Sequence, residues 1–279
     1  MIIGGFRIQD LIQRFTNQEK KQSYYLTICC IVKDENEYLK EWMNYHIKIG
    51  IEHFYIYDNE SKIAVSETLK MLGLENYATV IKIYGKAKQV TAYNDCLKRR
   101  SAFSQWIGFI DADEFIVPKS TSGDLPGFLK DFENVGGLGI NWLVFGSSGY
   151  IKRTLRSQLR SFLKRSQASF PINRHVKLIV QPRFVKRSIG AHLFSYKKGH
   201  FAVNEHFSQI TSSYSDTSVD KIQINHYYCR SLEEYQDKVE RGLADTSKRT
   251  RKMEDFHNHD REANAVEDRA ILEILNRVE

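Results

Sequence analysis

The sequence predicts an α/β protein with a Rossmann-like central sheet, helices on both faces and a helical extension at its C-terminal end. Apolar segments of strand length alternate with amphipathic helical segments up to residue 118. The run LTICCIV at 26–32 is almost continuously apolar, which is typical of a strand buried on both faces. The apolar run Trp106–Ile110 ends on Asp111-Ala112-Asp113. Open α/β sheets bind ligands at such strand ends.

The first half of the chain alternates strand and helix. Residues 1–23 are polar with scattered apolar positions, which predicts a peripheral helix or loop. The expected elements that follow are strand 26–32, a helix from Asn36 to a stop at Gly50, strand 53–57, helix 64–73 closed by Gly73, strand 78–84, helix 87–103 and strand 106–110. This order favours right-handed crossovers and a parallel sheet. His46 lies on the apolar stripe of its helix, so we expect a packed core histidine.

The second half is less regular. We expect a strand at 138–144, a helix at 231–243 and a last helix whose apolar stripe starts at Val266. We divide the chain into an N-terminal extension (1–24), one α/β domain (25–245, with a nucleotide-binding half at 25–118 and a second half at 119–245) and a C-terminal helical tail (246–279).

Composition sets the broad class of protein. With 279 residues, 42% of them hydrophobic, the chain can bury a large core. It has no apolar stretch of membrane-spanning length, and its start lacks the basic region of a secretory signal, so a cytoplasmic location is expected. The four cysteines form no CxxC pair, which predicts buried free thiols in a reducing compartment.

The basic charge is concentrated in one segment. The net charge is +7, and residues 151–200 contain thirteen Lys or Arg and no Asp or Glu. Such a segment attracts nucleic acid, an anionic membrane face or a phosphorylated substrate. Apolar runs such as Val176–Val180 interrupt it, so it is expected to be folded. Because no nucleic-acid-binding motif is present, nucleic acid is not the expected partner.

Asp111 and Asp113 are the central candidate site. Two carboxylates one residue apart offer hard oxygen ligands, as Mg²⁺ or Mn²⁺ on a diphosphate requires; a turn or helix-cap role is the alternative. No GxGxxG or P-loop sequence is present, so a bound diphosphate has to be held by a metal and basic side chains. Asp58, at the end of strand 53–57, fits either a ribose contact or a turn.

Trp142 is followed by Phe145-Gly146-Ser147-Ser148-Gly149. An aromatic ring beside a glycine-containing turn predicts a sugar-stacking platform, with the hydroxyls of Ser147 and Ser148 available to the acceptor. A tryptophan in the core is the alternative.

Five segments carry a family resemblance. These segments are KDENEYLKEWMNYHIKIGIEHFYIYDNES, QVTAYNDCL, WIGFIDADEFIVP, WLVFGSSG and INHYYCRSLEEYQDKVERGLAD. In them the chain resembles glycosyltransferase family 92 and its bacterial family-2-like relatives. The resemblance runs from about residue 25 to 245. It implies a GT-A fold, a nucleotide-diphospho-sugar donor, a divalent metal and inversion at the anomeric carbon.

The resemblance also assigns roles by motif. It implies that Asp113 binds the metal directly, that Asp111 contacts the ribose, or the metal through water, and that His226 is the third ligand of Mn²⁺ or Mg²⁺. The implied donor-binding residues are Lys33, Glu37, Asp58, Gln89, Tyr93, Asn94, Asp111 and Lys177. Lys238 and Arg241 are further phosphate candidates, and Glu205 or Asp245 is expected to be the general base.

The predicted function is an inverting, metal-dependent hexosyltransferase. The resemblance suggests UDP-galactose as donor, with other UDP-hexoses or a GDP-sugar as alternatives. It suggests a bacterial surface glycan or glycolipid, such as lipopolysaccharide core or capsule, as acceptor. Residues 151–200 are expected to contact an anionic membrane at its inner face. The alternatives are a metal-dependent phosphohydrolase and a basic nucleic-acid-binding module. The HNH string at 257–259 is attributed to chance because it lacks a nuclease-like context.

Overall fold

A computed structural model describes residues 2–3, 6–7, 23–242 and 251–278 of the chain. The strands are Ile2–Ile3 (β1), Phe6–Arg7 (β2), Tyr24–Val32 (β3), His53–Asp58 (β4), Ala78–Lys82 (β5), Ser104–Phe109 (β6), Glu114–Pro118 (β7), Gly137–Val144 (β8), Lys164–Arg165 (β9), Val176–Val180 (β10), Val185–Ser188 (β11), Phe194–Tyr196 (β12), Ala202–Val203 (β13), Gln209–Ile210 (β14), Ile222–His226 (β15) and Val266–Glu267 (β16). The α-helices are Asn36–Lys48 (α1), Val65–Leu72 (α2), Gln89–Arg100 (α3), Leu125–Leu129 (α4), Gln158–Ser161 (α5), Leu232–Arg241 (α6), Met253–Glu262 (α7) and Ala270–Val278 (α8).

A mixed sheet organises the fold. Within the described residues its strand order is β14-β13-β8-β10-β6-β3-β4-β5, and β15 joins β8 to β7. Strands β6, β3, β4 and β5 are parallel, as the alternating sequence pattern predicts. Strand β10 runs antiparallel to both β6 and β8. The parallel strands therefore form a half-sheet whose order reverses between β3 and β6, and ligands of such sheets bind at this switch point.

Both faces of the sheet are covered by helices. Alternate residues of β3 show this, because Ile28 and Cys30 pack in the core that holds α1 and α2, whereas Cys29 packs in the core that holds α3. All four cysteines are buried and free of disulfides. The α/β class with a central Rossmann-like sheet and the buried thiols are thus confirmed.

Local signals fix most helix ends. Helix α2 stops at Gly73, whose φ of 68° is left-handed and suits glycine. Helix α6 begins with a capping box in which Ser231 and Glu234 exchange hydrogen bonds. His46 is fully buried, as predicted, and its Nδ1 lies 2.8 Å from the Trp42 carbonyl.

The C-terminal stripe differs from the prediction at one residue. Val266 is not helical: it belongs to β16 and pairs with Arg165. The helix starts later because Asp268 accepts a hydrogen bond from the Ala270 amide at 3.0 Å and pairs with Arg165 at 2.6 Å. No helix among the described residues combines the length and the apolar character that crossing a bilayer requires.

Candidate functional site

A cleft of about 1000 Å³ opens at the switch point of the sheet. Its walls include Lys33 at the end of β3 and the Asp111-Ala112-Asp113 turn after β6. The predicted site residues that line it are Lys33, Gln89, Asp111, Asp113, Trp142, His226 and Arg241. Residues that are more than 200 positions apart in the sequence, such as Lys33 and Arg241, thus meet at one crevice.

Asp111 is held by two side chains. Its Oδ2 accepts from Lys177 Nζ at 2.8 Å and its Oδ1 from Gln89 Nε2 at 2.7 Å. Lys177 lies in the middle of β10 and is fully buried, with Glu114 as its second carboxylate at 3.6 Å. Burial alone lowers the pKa of Lys177, but Asp111 and Glu114 outweigh it and hold that pKa above the usual range. Lys177 therefore stays charged and fixes Asp111 from behind the cleft.

Asp113 has its own buried lysine. Lys238 Nζ donates to Asp113 Oδ2 at 2.7 Å and to the carbonyls of Tyr227 and Tyr228 at 3.1 and 2.9 Å. Burial lowers the pKa of Lys238 to about 8, against the pull of Asp113. Burial raises the pKa of Asp113, but Lys238 and His226 outweigh it and hold that pKa well below its usual value. Asp113 is therefore an ionised carboxylate with one oxygen, Oδ1, turned away from its lysine.

His226 faces this oxygen. Its Nε2 lies 3.7 Å from Asp113 Oδ1, and both residues line the cleft. Two ligands that each lie about 2.1 Å from one small ion are separated by about 3 to 4 Å, so this pair fits a divalent cation. Burial lowers the pKa of His226, which favours the neutral imidazole that metal binding needs.

Asp111 does not join this pair. Both of its oxygens are engaged by Lys177 and Gln89. Among the described residues, the one set of three ligand groups within 4.8 Å of one another is Glu205, His206 and Asp220. The cleft thus offers a metal two protein ligands, Asp113 and His226, and leaves the other positions to substrate oxygens and water, as is common for Mg²⁺ on phosphates.

The wall beside His226 is aromatic. Trp142 stacks on His175 at 4.8 Å between ring centroids, meets His192 edge-on at 5.1 Å and lies 4.3 Å from the His226 ring. Tyr214 packs on the far side of His175 at 4.5 Å. An aromatic wall beside polar ring nitrogens suits the apolar face and the hydroxyls of a sugar.

Comparison with known proteins identifies the family. The sequence model described as Glycosyltransferase family 92 matches residues 24–269. The chain belongs to glycosyltransferase family 92. A family 92 protein of Oryza sativa subsp. japonica is 26% identical over 234 residues, which cover 81% of this chain and 37% of that protein. One of Ricinus communis is 26% identical over 232 residues, covering 80% and 39%. The chain thus spans less than two fifths of these relatives.

Among solved structures, the comparison matches S. aureus TarS 1-349 in complex with UDP. Its sequence identity to this family 92 chain is 14%, with a TM-score of 0.40, over 57% of this chain and 47% of TarS 1-349.

Several residues predicted to bind the donor of this family 92 chain support the cleft from outside it. Asp58 accepts from the amides of Ser61 and Val65 at 3.0 and 3.1 Å, so its carboxylate closes the turn after β4. Glu37 pairs with Arg153 on the surface. Tyr93 is fully buried and accepts from Gln89 Nε2 at 3.0 Å, and thereby helps to orient Gln89. Asn94 binds the backbone of Ser188.

The predicted acceptor serines lie outside the cleft. Ser147 Oγ donates to Asp260 at 2.9 Å, and Ser148 Oγ accepts from the amides of Leu163 and Lys164. These hydroxyls join the turn after β8 to α7 and to β9. Their hydrogen-bonding capacity is taken by the local structure, because a short turn packed against a helix must satisfy its own polar groups.

The two predicted bases are placed differently. Glu205 is 1% exposed and its carboxylate accepts from Ser218 Oγ and from the amides of Asp220, Lys221 and Ile222, all within 2.9 Å. It closes the turn that leads into β15 and does not line the cleft. Asp245 lies outside the described residues.

Sequence reasoning missed several residues that line the cleft. They are Glu35, His175, His192, Tyr214, Arg251, Asp255 and His259. Asp255 and His259 belong to α7, one helical turn apart, so an i, i+4 pair was the signal that could have revealed them. His259, attributed to chance as part of the HNH string, packs on Tyr228 at 4.4 Å between ring centroids.

Proposed function

We propose that this chain is a glycosyltransferase that moves a hexosyl group from a nucleotide-diphospho-sugar to a hydroxyl of a glycan, with inversion at the anomeric carbon. One observation carries the proposal: Asp113 Oδ1 and His226 Nε2 face each other at 3.7 Å in a cleft at the switch point of the parallel strands. Membership of family 92 supports transfer over the two alternatives, phosphohydrolysis and nucleic-acid binding.

The donor is proposed to be a UDP-hexose, with UDP-galactose as the first candidate. Lys33 and Arg241 line the cleft at the β3 end, and Arg251 lines it near α7, so cations surround the space for a diphosphate. Asp111, fixed by Lys177 and Gln89, is assigned to the ribose hydroxyls. Lys177 itself is fully buried and acts through Asp111 rather than on the donor.

The metal is proposed to be Mn²⁺ or Mg²⁺ held by Asp113 and His226. A bound cation of this kind supplies Lewis-acid stabilisation to a leaving diphosphate, worth several kcal/mol of barrier. The protein prepares that position before any ion arrives, because Lys238 keeps Asp113 ionised and directs its Oδ1 toward His226. This preorganisation lowers the cost of assembling the site.

The acceptor sugar is proposed to lie against Trp142, His175 and Tyr214. A base removes the proton of the attacking hydroxyl while its oxygen forms the new bond to the anomeric carbon. The bond from that carbon to the diphosphate oxygen breaks on the opposite face. Asp255 lines the cleft, with its Oδ2 accepting a hydrogen bond from the Lys252 amide at 2.9 Å, whereas Glu205 does not line it, so we assign the base to Asp255 or to Asp245 rather than to Glu205.

The acceptor class is proposed as a glycan or glycolipid hydroxyl. Lipopolysaccharide core and capsule are the candidates suggested by the bacterial resemblance, although the relatives named above are plant proteins. Plant cell-surface glycans therefore belong in the same acceptor panel.

Nucleotide release tests this function. The purified chain is incubated with UDP-galactose, UDP-glucose, UDP-N-acetylglucosamine, GDP-mannose or CMP-sialic acid, with and without the acceptor panel. We expect one nucleotide class to be released in an acceptor-dependent way, to stop with a chelator and to resume with Mn²⁺. Proton NMR of the product gives the anomeric configuration, which must be opposite to that of the donor. Hydrolysis of p-nitrophenyl phosphate at a comparable rate, without any transfer, would support the phosphohydrolase instead.

A further inference from the structure

The basic segment 151–200 separates into two surfaces of different character. In its first half, three cations pair with surface carboxylates: Lys152 with Glu233, Arg153 with Glu37 and Asp237, and Arg174 with Asp216. Two further cations of the segment, Lys177 and Arg165, are held by the carboxylates of Asp111 and Asp268. These contacts pair five of the eight cations that precede residue 183 with carboxylates, which weakens the attraction of this part of the segment for an anionic partner.

The second surface is the hairpin of β11 and β12, with the turns on either side of it. It displays Arg183, Lys186, Arg187, Lys197 and Lys198, all exposed and none in an ion pair with any described residue. No Asp or Glu occurs between residues 183 and 201. Five cations without a nearby acidic residue in their own segment create a local positive potential. We call this surface the basic hairpin.

The basic hairpin is a fixed part of the fold. Its inner residues Val185 and Phe194 are buried against α3 and the sheet. Asn94 of α3 accepts from the Ser188 amide at 2.9 Å and donates to the Ser188 carbonyl at 3.1 Å. The ladder shifts register between Val185 and Arg187, so Lys186 lies in a bulge on the outer side. The cations are therefore presented on a supported surface.

Apolar side chains are exposed among these cations. Ile189, in the turn between β11 and β12, is 49% exposed. Phe201, five residues after the end of β12, is 41% exposed. A soluble polyanion would need the cations alone. Cations combined with protruding aliphatic and aromatic groups match a lipid interface, where the charges meet anionic headgroups and the apolar groups enter the acyl boundary.

We infer that the basic hairpin docks this protein on an anionic bilayer. The turn that carries Ile189 also contributes Ala191 and His192 to the wall of the cleft. Docking through this turn brings the cleft wall to the bilayer surface, where a glycolipid hydroxyl is available. The orientation of the cleft rests on the proposed function, but bilayer binding does not.

Vesicle flotation tests the inference. The whole chain is mixed with phosphatidylcholine vesicles that contain either no phosphatidylglycerol or about one quarter of it. Each basic residue close to an anionic surface contributes about a fivefold factor to partitioning, so Lys186→Glu/Arg187→Glu weakens binding at least about twenty-five-fold. Ile189→Ser weakens it further by a smaller factor. The control Lys152→Glu/Arg174→Glu changes the charge equally and leaves binding within about twofold, because Lys152 is paired with Glu233 and Arg174 with Asp216.

Each outcome has a defined meaning. Loss of anionic-vesicle binding in the hairpin variant, with retention in the control, supports the inference. Three results would overturn it: equal binding to uncharged vesicles, equal loss in both charge variants, or an Ile189→Ser variant that binds as tightly as the wild type and is displaced by dextran sulfate. The last result would indicate a general polyanion site. Nucleotide release with a soluble acceptor is measured on the same variants. Unchanged release with lost flotation separates a docking defect from a failure of the proposed reaction.

Discussion

The ion network of Glu35 gives the most quantitative prediction. Glu35 lies at the start of α1 with a side chain 7% exposed, and its Oε2 accepts from Arg230 Nη1 at 2.8 Å. Its Oε1 pairs with Arg241, whose Nη1 also donates to the carbonyls of Lys33 and Asp34 at 2.9 and 3.1 Å. Arg230 is 2% exposed and lies 3.5 Å from the centre of the Tyr38 ring. One carboxylate therefore neutralises two buried or half-buried guanidinium groups at the cleft.

Glu35→Gln removes that charge and keeps the shape. Breaking a buried ion pair by removing one partner costs about 3 to 5 kcal/mol, since the other charge remains buried and unpaired. The matched control is Glu37→Gln, two residues along the same helix. Its carboxylate is 51% exposed and pairs with Arg153, so the expected cost is about 0 to 1 kcal/mol.

Urea unfolding at neutral and acid pH measures both variants. Burial raises the pKa of Glu35, but Arg230 and Arg241 outweigh it and lower that pKa below its usual value of 4.5. A carboxylate with a lowered pKa contributes stability above its unfolded value and loses it as pH falls through the folded value. The difference between wild type and Glu35→Gln should therefore be full at neutral pH and shrink below about pH 4. A cost below about 1 kcal/mol at neutral pH, equal to that of the control, would refute the reasoning.

Three further predictions concern other parts of the molecule. Burial lowers the pKa of His46 to about 3, so the free energy of unfolding should fall by about 1.4 kcal/mol per pH unit as pH drops from 6.5 toward 3, and His46→Leu should remove that part of the slope in acid-titrated unfolding. Tyr214→Ala, at an exposed residue of the aromatic wall, should raise the acceptor KM about tenfold and leave donor affinity unchanged, with Tyr214→Phe between them; an unchanged acceptor KM would exclude the aromatic wall as the acceptor site. Glu205→Gln should cost about 3 kcal/mol of unfolding free energy and keep the rate of the folded enzyme within about twofold; a hundredfold slower rate at full stability would restore Glu205 as the base.

The parallel half of the fold could be predicted because its signals are local. An apolar run such as 26–32 and the alternation of strand and helix periodicities depend on neighbours in sequence. The place of Asp111 and Asp113 at a strand end follows from the same pattern. The prediction that Val266 belongs to the last helix was wrong. The apolar stripe continues through Val266, but the helix start is set by Asp268 and its partner Arg165 in a distant strand.

The donor-side details depend on distant contacts. Lys177 is 66 residues from Asp111 and Lys238 is 125 residues from Asp113, and no periodicity reveals that each aspartate has its own lysine. Asp58 and Ser147 show a second limit. Their residue types and positions suit ligand binding equally well, but their polar atoms bind backbone amides and Asp260 instead. The direction in which a side chain points is decided by packing that the sequence does not display.

The most direct test of the central claim is calorimetric titration of nucleotide-sugars with and without Mn²⁺, on the wild type, Asp113→Asn and Asp111→Asn. The account predicts that one nucleotide class binds more tightly with Mn²⁺. Asp113→Asn should lose that metal dependence, whereas Asp111→Asn should keep it and bind the donor more weakly. Binding that ignores both the metal and the Asp113 substitution would contradict the assignment of Asp113 and His226 as the metal pair, and with it the proposed mechanism.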